Sequence, residues 1–140
     1  MSFARILVPY EGSPLSQDAL ELACDLAQPG GAITAVYVVR TPPNLPIGAE
    51  DAAAALGKEL LGHAAETGRQ RNVSVETKLL RADDVPAGIV RAAQEAEAEA
   101  IVMSLRHKHT LGETMVLSHT ASRVLRHAPC RVLITHRRES

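Results

Sequence analysis

Short apolar runs alternate with helical segments along the whole chain, and that alternation limits the possible folds more than any single residue does. Residues 5–10 (RILVPY) form a brief apolar run of the kind seen in a strand buried on both faces. Glu11-Gly12-Ser13-Pro14 follows, with Ser13 suited to an N-cap and Pro14 to the first helical position. Leu15, Ala19, Leu22, Ala23 and Leu26 recur at helical spacing, one face of a first helix that Pro29-Gly30-Gly31 ends. The second strand is expected over 32–39 (AITAVYVV), and Thr41-Pro42-Pro43-Asn44-Leu45-Pro46 reads as a loop. An Ala-rich helix over about 50–71 places Leu56, Leu60, Leu61 and Ala64 on one face. Residues 73–80 (VSVETKLL) alternate apolar and polar, a half-exposed strand at an edge of the sheet. Asp83-Asp84 before Pro86 offers an N-cap for a third helix marked by Ile89, Val90 and Ala93. Residues 100–103 are the fourth strand, and a polar segment from Ser104 to Glu113 follows it. A fourth helix carries Leu117, Ala121, Val124, Leu125 and Ala128. Pro129 stops it before a fifth strand at 131–135.

Strand and helix alternating in this way imply an α/β domain: a five-stranded parallel, doubly wound sheet with helices on both faces and right-handed crossovers. Residues 1–140 show no linker, repeat or internal boundary and read as a single domain. Ligands of such sheets sit beyond the carboxyl ends of the strands, where the strand order reverses. Two loops qualify, Tyr10 to Ser13 and Ser104 to Ser118.

Composition removes several classes of function. Aromatic residues are 2% of the chain, too few for a base-stacking nucleic-acid surface, so the core must be aliphatic. A net charge of −1 supplies no field to draw the chain onto nucleic acid or an acidic membrane. Cys24 and Cys130 lie in apolar patterns with no C-x-x-C, as reduced thiols of a cytoplasmic protein do. No signal-type stretch is present, and no apolar run approaches the ~18 residues a membrane span needs. Chemistry is equally sparse. Ser13 lacks a G-x-S-x-G context, and no G-x-x-x-x-G-K-[ST] phosphate loop occurs. His107-x-His109 has no further ligand at metal spacing, and Asp83-Asp84 is a cap rather than an acid–base pair. No metal site and no catalytic set is expected.

Three segments resemble the universal stress protein family. ILVPYEGSPLSQDAL (6–20) is similar to its strand-one signature, in which an Asp usually stands at Glu11. PAGIVRAAQEAEAEAIVM (86–103) resembles its third helix and fourth strand, and SRVLRHAPCRVLI (122–134) its last helix and strand. The resemblance implies an adenine-nucleotide alpha-hydrolase-like fold with strand order 3-2-1-4-5, commonly a homodimer, in a family with both nucleotide-binding and non-binding members. In binding members a loop of pattern G-x2-G-x9-G-[ST] after strand four holds the phosphates. Here those glycine positions fall on Ser104, His107 and Leu117 or Ser118, so all three glycines are missing.

Glycine lets such a loop turn left-handed and bring N–H groups to phosphate. A side chain there costs roughly 1–2 kcal/mol per position, so two positions cost on the order of a hundredfold in affinity. The resemblance places adenine near Val38, with Pro9 and Glu11 flanking adenine and ribose beside Ser13. Met103, Ser104, Arg106, His107, Lys108, Ser118, His119 and Thr120 then surround the phosphates. Side-chain charge from Arg106, His107 and Lys108 would replace part of the backbone grip. The expectation is a non-catalytic, dimeric stress-response or regulatory module. It would pair through the C-terminal strand, require no cofactor and take an adenine nucleotide (ATP, ADP or AMP) weakly if at all. Two alternatives stay open. One is a slow ATP-binding hydrolase. The other is a soluble accessory domain of a membrane transporter, a branch that LGETMVLSHTASRVLRHAPC (111–130) resembles.

Overall fold

The structure, a computed structural model, describes residues 1–105, 110–111, 114–115 and 119–136. Its frame is a parallel sheet of five strands, β1 (Phe3–Pro9), β2 (Ala27–Arg40), β3 (Ser74–Ala82), β4 (Ala100–Ser104) and β7 (Arg131–Thr135). They lie in the order β3-β2-β1-β4-β7, which is 3-2-1-4-5 counted along the sheet strands, with β3 and β7 at the edges. Helices α1 (Pro14–Leu26), α2 (Ala49–Arg71), α3 (Val85–Glu95) and α4 (His119–His127) make the crossovers. Two-residue strands β5 (Thr110–Leu111) and β6 (Thr114–Met115) pair antiparallel within the stretch read from sequence as the Ser104 to Ser118 loop. Strands this short leave no period-two signal.

Side chains alternate across the pleat and build a core on each face. Ile6, Val8, Ile33, Ala35 and Val102 meet α1 and α2 on one side. Leu7, Val36, Ile101 and Met103 meet α3 and α4 on the other. Because β1 and β4 are buried on both faces, they read as continuous apolar runs.

The helix faces differ from those the apolar spacing predicts. In α1 the buried set is Ser16, Ala19, Leu20, Ala23 and Cys24. Leu15 is half-buried beside a cavity instead. In α2 the buried stripe is Ala54, Gly57, Leu61, Ala64 and Gly68, while Leu56 is 50% exposed. The glycines are there because the sheet presses on the helix: a Cβ on Gly57 would lie 2.5 Å from Tyr37 Cδ1 and 2.8 Å from Leu79 Cδ1. Leu125 of α4 is 44% exposed, and only Ala121 and Val124 of that helix are buried among the described residues.

Strand two also starts earlier than predicted, at Ala27 rather than 32, and α1 ends at Leu26. Phe3 faces Ala27 and Arg5 faces Ala32, so Pro29-Gly30-Gly31 forms an irregularity within the pairing rather than a break before it. Gly30 has φ +80°, and a Cβ on Gly31 would come within 3.0 Å of the Ala4 carbonyl oxygen.

Candidate functional site

Parallel strands put every following helix start at the same end of the sheet. The order reverses between β1 and β4, and a cavity of about 380 Å³ opens there beyond their carboxyl ends. Pro9 closes β1, Tyr10 extends its ladder by donating its N–H to the Val36 carbonyl at 2.8 Å, and Glu11 follows. Met103 and Ser104 close β4 on the far side, and Val38 of β2 forms a wall. First-turn residues of three helices complete the lining: Leu15 and Ser16 of α1, Val85 of α3, His119 and Thr120 of α4. Three helix amino ends, each with the partial positive charge of a helix start, therefore converge on one cavity.

The strand-one loop is held by a small hydroxyl network. Ser13 caps α1, its Oγ accepting from the Ser16 N–H at 3.1 Å. The same Oγ lies 2.9 Å from Glu11 Oε1, placed to donate to it. Ser16 Oγ donates to the Ser13 carbonyl at 3.0 Å. Gly12 turns the chain at φ +82° with Leu60 of α2 against it, where a Cβ would lie 2.6 Å from Leu60 Cδ2. At the end of β4, the Ser104 hydroxyl donates to the Leu15 carbonyl, tying that strand to the first turn of α1.

The Tyr10 hydroxyl donates to Gln17 Oε1 at 2.8 Å, and Gln17 Nε2 donates to Thr67 Oγ1 at 3.0 Å. Burial, helped by the Glu21 carboxylate, raises the Tyr10 phenol above its ordinary value. Cys24 and Cys130 are free thiols, both raised chiefly by burial, which favours the protonated form.

Of the residues expected at the site, Pro9, Glu11, Val38, Met103, Ser104, His119 and Thr120 line this cavity together. Ser13 does not line it and lies one step back, against Glu11. Arg106, His107, Lys108 and Ser118 lie outside the described residues, as do His109 and Leu117. Leu15, Ser16, Val85 and Ile89 also line it; the sequence marks Leu15 and Ile89 only as helix-face positions and does not mark Ser16 or Val85. Their signal was positional: each belongs to the first turns of a helix that follows a sheet strand. No group of three or more His, Cys, Asp or Glu among the described residues could hold a metal ion. No helix among them is long and apolar enough to cross a membrane.

An α/β domain with a switch-point cleft between helix amino ends is the class that this fold and cavity define. The chain belongs to the universal stress protein family, whose sequence pattern it matches over residues 2–136. It is 30% identical to a universal stress protein of Methanocaldococcus jannaschii over 141 residues, covering 94% of this chain and 81% of that one. A universal stress family protein from Burkholderia pseudomallei superposes with a TM-score of 0.71 at 31% identity, over 95% of this chain and 96% of the other. The universal stress protein of Archaeoglobus fulgidus, solved in complex with dAMP, gives a TM-score of 0.71 at 23% identity, over 96% and 97% of the two chains. The architecture is the adenine-nucleotide alpha-hydrolase-like fold that the sequence resemblance implies.

Proposed function

We propose that this chain is a non-catalytic universal stress protein domain that binds an adenine nucleoside monophosphate weakly in the switch-point cavity. The observation that carries this reading is the convergence of the α1, α3 and α4 amino ends on a cavity that also holds Glu11 and Val38. Helix amino ends favour a phosphate, a carboxylate suits ribose hydroxyls, and an apolar wall suits a base. The cavity's 380 Å³ lies near the small end of the usual range for ligand sites, which favours one phosphate over three. The dAMP complex of the Archaeoglobus fulgidus relative supports the same ligand class. Ser104 supports weak rather than tight binding. It stands at the first glycine position of the phosphate loop, and its hydroxyl is engaged by Leu15.

The module would act in the cytoplasm as a homodimer through β7, signalling to a regulatory or transporter partner. The edge position of β7 and its apolar residues support the pairing. Titration calorimetry with AMP and Mg-ATP tests the ligand. AMP should bind at least as well as ATP, and Mg-ATP with a dissociation constant weaker than about 10 μM. Sub-micromolar Mg-ATP, or no heat with AMP at millimolar concentration, refutes the reading.

A further inference from the structure

The cavity wall opposite β1 comes from two helix starts, Val85 and Ile89 on α3 and His119 and Thr120 on α4. Its shape depends on how those starts are held together. A bidentate ion pair joins them: Arg123 Nη1 donates to Asp84 Oδ1 at 2.6 Å, and Nη2 to Oδ2 at 2.7 Å. Neither residue lines the cavity. Arg123 stands three and four residues beyond Thr120 and His119, on the same side of α4. Asp84 is the N-cap of α3, its carboxylate accepting from the Ala87 N–H at 3.1 Å. One side chain thus ends the loop before α3 and grips α4. Among the described residues of α4, Ala121 and Val124 are fully buried against the sheet. Apolar burial is non-directional and by itself does not set the rotation of a short helix. A planar guanidinium fork has one geometry. The Arg123 hydrogen bonds, then the Ala87 amide, hold the Asp84 carboxyl below its ordinary range, so the pair stays ionised at neutral pH.

We infer that Asp84 and Arg123 are positioning residues for the phosphate end of the cavity, setting His119 and Thr120 against the start of α3 without touching the ligand themselves. The inference rests on the monophosphate reading above and adds to it the residues outside the cavity that govern how well it binds.

The test compares the unaltered protein with Arg123→Lys, Arg123→Gln and the double variant Asp84→Asn/Arg123→Gln, in which Asn keeps the cap. AMP affinity is read by calorimetry, and backbone amide exchange over 119–124 is read without ligand. Arg123→Gln should weaken AMP about fivefold and speed exchange in the first turns of α4 while β1 and β4 stay protected. Arg123→Lys, which keeps the charge and loses the fork, should fall between. The double variant should remain as weak as Arg123→Gln, although no bare carboxylate is left. Recovery of full affinity in the double variant would overturn positioning in favour of simple charge repulsion. Unchanged affinity and exchange in Arg123→Gln would overturn it outright. If Arg123→Gln does not fold, Arg123→Lys is judged by the same two measurements. If the unaltered protein takes up no AMP, the ligand reading fails and amide exchange decides the pair. Faster exchange confined to α4 then upholds it, and unchanged protection overturns it.

Discussion

The same substitution at two glycines of α2 should move stability in opposite directions. Gly57 and Gly62 both lie inside α2, and neither has a positive φ. In a helix interior, Gly→Ala gains about 1 kcal/mol from backbone entropy and propensity. At Gly62 nothing lies within 4 Å of the added Cβ, so that gain stands alone. Gly62→Ala should stabilise the fold by about 0.5–1 kcal/mol. At Gly57 the Cβ would sit 2.5 and 2.9 Å from two atoms of the Tyr37 ring and 2.8 Å from Leu79 Cδ1. Overpacking of this kind costs about 1–3 kcal/mol, and the nearest contact is a carbon of the rigid Tyr37 ring rather than the tip of a flexible chain. Setting about 2–3 kcal/mol of strain against the propensity gain leaves Gly57→Ala less stable by about 1–2 kcal/mol. That corresponds to a Tm lower by about 3–8 °C in a domain of this size. Urea unfolding of both variants, followed by circular dichroism, measures the signs side by side. The reasoning fails if Gly57→Ala is stabilised like Gly62→Ala, because Tyr37 then moves aside freely. Tyr37 also lines the cavity, so Gly57→Ala should alter AMP binding and Gly62→Ala should not.

Glu99 Oε1 accepts from the Ala4 N–H at 2.6 Å and the Arg5 N–H at 3.1 Å, and these two bonds hold its carboxyl below the ordinary 4.5. A depressed carboxylate stabilises the fold above its unfolded pKa and loses that contribution as pH falls through the folded value. Glu99→Gln should therefore lower Tm at pH 7, with the gap to the unaltered protein closing at pH 3; a gap independent of pH argues against the linkage. Sedimentation equilibrium at micromolar concentration should give twice the 14.9 kDa chain mass if β7 pairs with a second copy, and a monomer there removes the dimer. Val132→Asp/Ile134→Asp is a poor probe of that interface, because both side chains also pack on the protomer's own core and should destabilise the monomer as well.

The fold was legible where burial imposes a period on the chain. Strands β1 and β4 stand out because both faces are covered, and Ser13 and Asp84 stand out because an N-cap needs a short side chain with an oxygen. Helix faces were less legible, since apolar spacing finds where large side chains recur and not where the sheet leaves no room for them. On α2 the contact stripe is marked by Gly57 and Gly68, and a Leu-based reading brought in the exposed Leu56. Pro29-Gly30-Gly31 misled in the same way: local chemistry announces a break, while β1 draws those residues into its pairing partner.

The cavity shows a further division, between residues that form a site and residues that fix its geometry. Pro9, Glu11, Met103 and Ser104 could be placed at the site because the chain order of a doubly wound sheet brings the ends of β1 and β4 together whatever the side chains are. Which groups each side chain satisfies depends on contacts across the sequence that no local pattern carries. Ser104 engages the Leu15 carbonyl 89 residues away, and Arg123 engages Asp84 across 39. Both contacts end on the first turn or cap of a helix that borders the cavity. At the position where the family resemblance expects a glycine, Ser104 therefore does more than restrict the backbone. The serine at 104 ties β4 to α1 from within the cavity lining, while the arginine at 123 ties α4 to α3 from outside it, so two walls of the cavity are braced. Rigid walls lower the ordering cost of binding even where fewer groups contact the ligand. On the proposed function, that physics would let a site without those glycines hold a nucleotide at modest affinity.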